Sequence, residues 1–191
     1  MKYLLLAASV ICISSCATTG TSEVRHPSAN GCKNFSIMET LFWWGDAPLS
    51  MGYRLAVDPD TGQGPTTLVV LDAGTFLNPG NPDSSSTFVA AVGDSERTCV
   101  VRTRLSECPA AASVYDRLKG QSIPLGFGMD DPTELLVFHA PTYYLEYSDG
   151  QSNHNQWRFY GTDHPLQPVI EESIVSLQAC IAPALNAYHG R

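Results

Sequence analysis

Alternation of apolar and polar residues predicts most of the strands in this chain. Successive side chains of a strand point to opposite faces of the sheet, so a two-residue period indicates a strand with one buried face. Residues 51–57 show the period, and Asp58-Pro59-Asp60-Thr61-Gly62 then forms a turn that predicts a hairpin with the next strand. The pattern predicts seven strands in all, at residues 51–57, 67–72, 88–92, 99–104, 135–139, 143–147 and 156–160.

Apolar residues spaced three or four positions apart predict the helices. Ser36 with Glu39 fits a capping box, and that helix is expected to end at Gly45. A second helix is predicted between Pro109 and Gly120, where proline stands near the start and glycine just past the end.

A third helix is expected to begin at about Gln167, and Pro183 should kink or end it. Strands that come in runs, interrupted by helices without regular alternation, favour the α+β class. The sequence therefore predicts an α+β domain with a mostly antiparallel sheet of six or seven strands, three helices and, from the cysteines discussed below, two disulfides.

The first sixteen residues follow a different pattern, in which a basic residue, an apolar run and small residues precede a cysteine. Lys2 is followed by an apolar run over residues 3–13, about half of the ~20 residues that a membrane span requires. The sequence Ile13-Ser14-Ser15-Cys16 resembles the lipobox of bacterial lipoproteins. The resemblance implies that residues 1–15 are a signal peptide and that Cys16 becomes the acylated N-terminus.

Acylation at Cys16 implies a bilayer as the first partner, because two or three acyl chains hold a protein firmly to a membrane. In lipoproteins of the enteric type an aspartate after the cysteine favours the inner membrane, and Ala17 stands there instead. The resemblance thus implies a cell-envelope protein, with the outer membrane favoured and the domain in the periplasm or at the surface. Residues 16–31 contain little to bury and predict a flexible tether, and residues 32–191 are expected to form a single domain.

The acidic composition excludes one class of partner. The net charge is −8, and removal of residues 1–15 takes away only Lys2, which makes the charge about −9. Such a surface repels the phosphate backbone, so nucleic acid is not expected as a partner.

Four cysteines remain after residue 16, namely Cys32, Cys99, Cys108 and Cys180. An even set in an exported chain predicts two disulfides, and no pair has the close spacing typical of a zinc site. If residues 99–104 are extended, Cys108 cannot return to within bonding distance of Cys99. Each of these two should then pair with Cys32 or Cys180, and which pairs with which stays open.

The sequence lacks the local motifs of the common enzyme chemistries, such as G-x-S-x-G, H-E-x-x-H or a phosphate-binding glycine loop. No cofactor and no metal site are predicted. If the strands at 143–147 and 156–160 form a hairpin, His139, Asp163 and His164 lie at one end of the sheet, and His154 lies in the loop at the other end. This placement gives one alternative hypothesis, a periplasmic hydrolase or metal-dependent enzyme that uses His139, Asp163 and His164.

Aromatic residues crowd the same predicted hairpin. Half of them should face the core and half the outside, which makes Tyr144 and Tyr160, together with Trp43, candidates for binding a protein or a cell-wall glycan. Ordinary cross-strand packing is the alternative explanation for these aromatics. The expected function is a noncatalytic binding or structural lipoprotein, and a further alternative is an inhibitor of an envelope-attacking enzyme that acts through the loop at 79–86.

Overall fold

The computed structural model describes residues 31–38, 49, 51–59, 63–73, 86–122, 140–151, 153–161 and 163–190. Seven strands form one sheet in which all neighbours run antiparallel, in the order β1-β5-β4-β3-β2-β6-β7. The strands are β1 Gly31–Lys33, β2 Gly52–Asp58, β3 Thr66–Asp72, β4 Thr87–Gly93, β5 Thr98–Arg104, β6 Thr142–Ser148 and β7 His154–Tyr160. The helices are α1 Ala111–Lys119, α2 Gln167–Ser176 and α3 Gln178–His189.

This architecture confirms the predicted α+β class with its antiparallel sheet, three helices and two disulfides. The strand β1 was not predicted, because three residues are too few to show a two-residue period. The predicted strand at 135–139 lies outside the described residues. So does most of the helix that follows Ser36, although Ile37 and Met38 are helical and the Met38 amide donates to Ser36 Oγ at 3.2 Å.

The sheet is covered on both faces in its centre. The first face packs against the three helices, and its sheet residues include Leu55, Val69, Phe88 and Tyr143. The second face carries a smaller apolar cluster that is covered by Ile37 and Leu49 and consists otherwise of Ala56, Leu68, Val70, Val89, Ala91 and Val100. Strands β3 and β4 are therefore buried on both faces, which explains their nearly continuous apolar sequences.

The two disulfides resolve the pairing that the sequence left open. Cys32 pairs with Cys99, its direct cross-strand neighbour, at a Cα–Cα distance of 3.9 Å. Cys108 pairs with Cys180 at 5.7 Å and joins the start of α1 to α3. The prediction that Cys99 and Cys108 do not pair with each other is confirmed.

The position of the break in the C-terminal helix differs from the prediction. Pro183 lies inside α3, whereas the chain bends at Leu177 between α2 and α3, by 78°. Leu177 is fully buried at the bend, and α2 packs on β2 and β6 while α3 packs on β1, β4 and β5. In a regular helix the Ala179 carbonyl would accept a hydrogen bond from the backbone N–H of residue 183, which proline lacks. Both residues are exposed, so water can satisfy that carbonyl. Packing on the sheet rather than proline therefore sets the bend.

Within the part of the chain that the structure describes, no single helix is long and apolar enough to cross a membrane. The bent pair of α2 and α3 meets the same length and composition criteria only when the two helices are taken together.

One glycine is required by the close approach of two strands. Gly52 has a φ of +143°, and a Cβ at this position would lie 1.9 Å from the carbonyl oxygen of Leu71 on β3. Any other residue would have to push β2 away from β3 at this end of the sheet.

Candidate functional site

A buried pair of opposite charges lies on the second face of the sheet. Arg54 in β2 and Glu146 in β6 are direct cross-strand partners, so their side chains project from the same face. Their residues are 3% and 0% exposed. On the β3 side the pair borders the apolar cluster of this face, through Ala56 and Val70, and on the β7 side it borders Gln156, so the pair lies at the margin of the hydrophobic surface.

Glu146 is the centre of the cluster and accepts hydrogen bonds from three strands. Its Oε2 accepts from Arg54 Nη1 and, at 3.0 Å, from the hydroxyl of Tyr144. Its Oε1 lies 2.8 Å from Nε2 of His154 in β7. We call these four residues the Glu146 cluster. The His154 side chain is 44% exposed, so the imidazole is the end of the cluster that reaches solvent.

The burial of the Glu146 cluster changes the proton affinities of two members. Burial lowers the pKa of Arg54, and the negative charge of Glu146 opposes that shift. Burial, together with the neighbouring Glu146 carboxylate, raises the pKa of Tyr144 from its ordinary value of 10.0 to about 12. The tyrosine therefore stays a neutral donor at physiological pH, and the carboxylate fixes the orientation of the exposed imidazole.

The structure corrects the predicted position of His154. The residue is the first of β7 and pairs with Ser148, whereas the sequence placed it in the connecting loop. It does lie at the end of the hairpin opposite to Asp163 and His164, as expected.

The hairpin on which the predicted catalytic site depends is present. The Gly161 amide donates to the Pro141 carbonyl at 3.0 Å, which places the segment after β7 beside the segment before β6. Asp163 is exposed, and His164 follows it directly in the chain. His139 lies outside the described residues, so the convergence of His139, Asp163 and His164 stays a prediction.

His164 has a structural role in the fold. Its ring stacks on Phe159 with the centroids 3.8 Å apart, and its Nδ1 accepts from the Leu166 amide at 3.1 Å, just before α2. Burial lowers its pKa, so the neutral ring that accepts this bond is the favoured form.

The predicted aromatic binding residues differ in exposure. Tyr160 is 56% exposed, and the Arg158 guanidinium carbon lies 5.6 Å from the centre of its ring. Tyr144 is on the same face but is half-buried within the Glu146 cluster. Trp43 lies outside the described residues.

A cleft of about 420 Å³ with mixed polar and apolar walls opens at the end of the sheet where β2 ends and β3 and β6 begin. Two carboxylates line it, and both accept hydrogen bonds from other groups of the domain. Asp58 accepts from Thr66 Oγ1 at 2.6 Å, while Asp94 accepts two amides of its own turn and the Tyr188 hydroxyl at 2.6 Å. No group of three or more metal-ligating side chains occurs among the described residues.

Sequence reasoning missed the Glu146 cluster because a charge in an alternating strand is expected to face solvent. In the alternating sequences of β2 and β6, Arg54 and Glu146 stand at the polar positions, which point to the second face of the sheet. These positions are buried only because the second face is also covered. The available signal was one cation and one anion at the centres of two predicted strands. That signal is weak without knowledge that the two strands are neighbours.

The chain matches no protein-family model, and no curated protein and no solved structure matches it significantly.

Proposed function

We propose that this protein is a lipoprotein of the cell envelope, anchored by acyl chains on Cys16, and that its α+β domain is a noncatalytic binding module. The lipobox-like sequence before Cys16 supports the anchor. The outer membrane is the favoured location, because Ala17 stands where an inner-membrane lipoprotein of the enteric type carries aspartate.

The observation that carries the proposal is the pairing of all four cysteines that follow Cys16. Both disulfides are formed, between Cys32 and Cys99 and between Cys108 and Cys180. Disulfides of this kind persist in oxidising compartments such as the periplasm and are rare in the cytosol. They therefore support export, which the signal sequence independently predicts.

The outer surface of the β6–β7 hairpin is the binding surface that we favour. It is formed by the side chains on the second face of this hairpin, and its exposed members are His154, Gln156, Arg158 and Tyr160. An exposed aromatic ring beside a guanidinium and an amide can stack on and hydrogen-bond to a sugar or a peptide. The partner is thus a cell-wall glycan or an envelope protein.

Fatty-acid labelling in the native host tests the anchor. The wild-type chain should incorporate labelled palmitate and fractionate with membranes, and Cys16→Ser should do neither, because the thiol is the acceptor. The matched control is Cys12→Ser, which changes the other cysteine of the leader and should leave labelling intact. Labelling that persists in Cys16→Ser would contradict the proposal.

Site-directed photocrosslinking tests the binding surface. A photoreactive amino acid at position 160 should capture a defined peptide or glycan, identified by mass spectrometry, from intact cells. The control places the same group at Val175 in α2, which is 68% exposed but lies on a helix of the first face. Equal capture at both positions, or none at 160, would rule out this surface.

A further inference from the structure

The hydrogen bonds at both ends of the β6–β7 hairpin fix which backbone groups of β7 face outward. Gly161 donates to Pro141, and Asp149 donates to the Asn153 carbonyl at 3.1 Å. Hydrogen-bonded pairs alternate in an antiparallel ladder, so the odd-numbered residues of β7 bond to β6. The N–H and C=O groups of the four even-numbered residues, His154, Gln156, Arg158 and Tyr160, therefore point away from the sheet.

Among the described strands, β7 is the outer strand on its side of the sheet, and these outward groups lie at an edge that no described strand covers. The described strands place β6 on one side of β7 and none on the other. The even-numbered residues are all exposed, and the three helices pack on β1, β2, β4, β5 and β6. An exposed strand of seven residues without proline, lysine or glycine is a template for pairing with a further strand.

We propose that β7 pairs antiparallel with β7 of a second copy of this chain, about a two-fold axis at Trp157. This register places His154 opposite Tyr160 and Gln156 opposite Arg158 of the second copy. All four outward residues of each strand then fall in hydrogen-bonded pairs, which gives eight hydrogen bonds across the axis. Both sheets join into one continuous sheet.

The side chains of β7 suit this self-pairing. The strand carries no acidic residue in a chain of net charge −8, and the register puts no two cations opposite each other. The half-buried Trp157 meets its own copy at the axis, in a pair that is not hydrogen-bonded and whose Cα atoms are about 4.5 Å apart. The two acidic domains repel each other elsewhere, so added salt should strengthen the dimer.

Sedimentation velocity of the full-length chain in a mild detergent tests the dimer. The wild-type chain should show a concentration-dependent dimer. Gln156→Pro removes an outward N–H and no bond to β6, so it deletes two of the eight intermolecular hydrogen bonds per dimer and should lower the association constant at least tenfold. Gln156→Ala keeps the N–H and should retain the dimer.

A charge pair tests the register and does not change the backbone. Gln156→Arg places an arginine opposite Arg158 of the second copy, twice per dimer, and should weaken association. The double variant Gln156→Arg/Arg158→Glu makes each of these pairs one of opposite charges and should restore association. Circular dichroism verifies that each variant is folded. A wild-type chain that stays monomeric, a dimer unaffected by Gln156→Pro and Gln156→Arg, or a double variant that is no better than Gln156→Arg would overturn the proposal.

Discussion

At the residue scale, the ion pair of Arg54 and Glu146 is the feature of this molecule that hydrophobic packing alone does not explain. Each charge would be costly to bury alone, and a well-packed apolar pair of similar volume is often as stable as a buried ion pair. The pair holds β6 against β2 in one register, since a shift of β6 by one residue would move Glu146 to the other face of the sheet, away from Arg54. Through His154 it also fixes the start of the exposed strand β7.

Removal of one member of this pair should destabilise the domain strongly. Glu146→Gln keeps the shape of the side chain but removes the carboxylate charge that pairs with the buried Arg54 guanidinium, which costs about 3–5 kcal/mol. The free energy of unfolding in urea, with the disulfides intact, measures the effect.

The double variant Arg54→Met/Glu146→Leu is the matched control, because it removes both charges and retains the volume. We expect it to lose less than half as much stability as Glu146→Gln. If the single and double variants lose the same amount, the stability at this position comes from packing and hydrogen bonds rather than from charge compensation.

At the element scale, the two disulfides fasten different parts of the domain, one within the sheet and one between helices. The Cys32–Cys99 bond fastens the three-residue strand β1 to β5, and the Cys108–Cys180 bond fastens α1 to α3. The linked residues are separated by 67 and 72 positions, so the two bonds restrict the unfolded chain to a similar degree.

Both bonds should therefore contribute similarly to global stability and differently to local order. Cys32→Ser/Cys99→Ser and Cys108→Ser/Cys180→Ser should each lower the free energy of unfolding by about 2–4 kcal/mol. Only the first pair should also abolish amide-exchange protection in β1, because that short edge strand has few other contacts. Retained protection in β1 would show that its ladder with β5 is sufficient alone.

At the scale of the whole molecule, coverage of both sheet faces buries tyrosines as well as apolar residues. Tyr53 and Tyr143 lie on the first face and Tyr144 on the second, and burial raises the pKa of each from 10.0 to about 12. Glu171 on α2 contributes at Tyr143, whose hydroxyl donates to it at 2.5 Å. The folded state thus keeps protons that the unfolded state releases above pH 10.

The contribution of these tyrosines to stability should therefore be constant below about pH 10 and fall as the pH rises from 10 towards 12. Each of these tyrosines contributes a slope of at most about 1.4 kcal/mol per pH unit in this window. Thermal unfolding between pH 8 and about pH 11 measures the decline, and Tyr144→Phe should make it shallower. Ultraviolet titration of the native chain should show Tyr53, Tyr143 and Tyr144 ionising well above pH 10; ionisation of these three near pH 10 would contradict the expectation.

Local patterns in the sequence were sufficient for most of the elements. Six of the seven predicted strands correspond to β2 through β7, and the helices α1 and α2 begin within two residues of their predicted starts. These features depend on periodicity, proline and glycine, which act over a few neighbouring residues. The even number of cysteines likewise indicated two disulfides, and the alternation on β6 and β7 placed Tyr144 and Tyr160 on one face.

Only the tertiary structure decided the features that depend on residues far apart in the chain. The partners of Cys99 and Cys108, the bend at Leu177 in place of Pro183, and the burial of Arg54 against Glu146 all follow from which strands are neighbours and which faces are covered. Strand order fixes these contacts, and it is set by the packing of the whole sheet, which no local window of sequence contains. The sequence by itself thus determined most of the elements and carries the prediction of an anchor, while tertiary packing determined the charged cluster and, among the described strands, the outer position of β7.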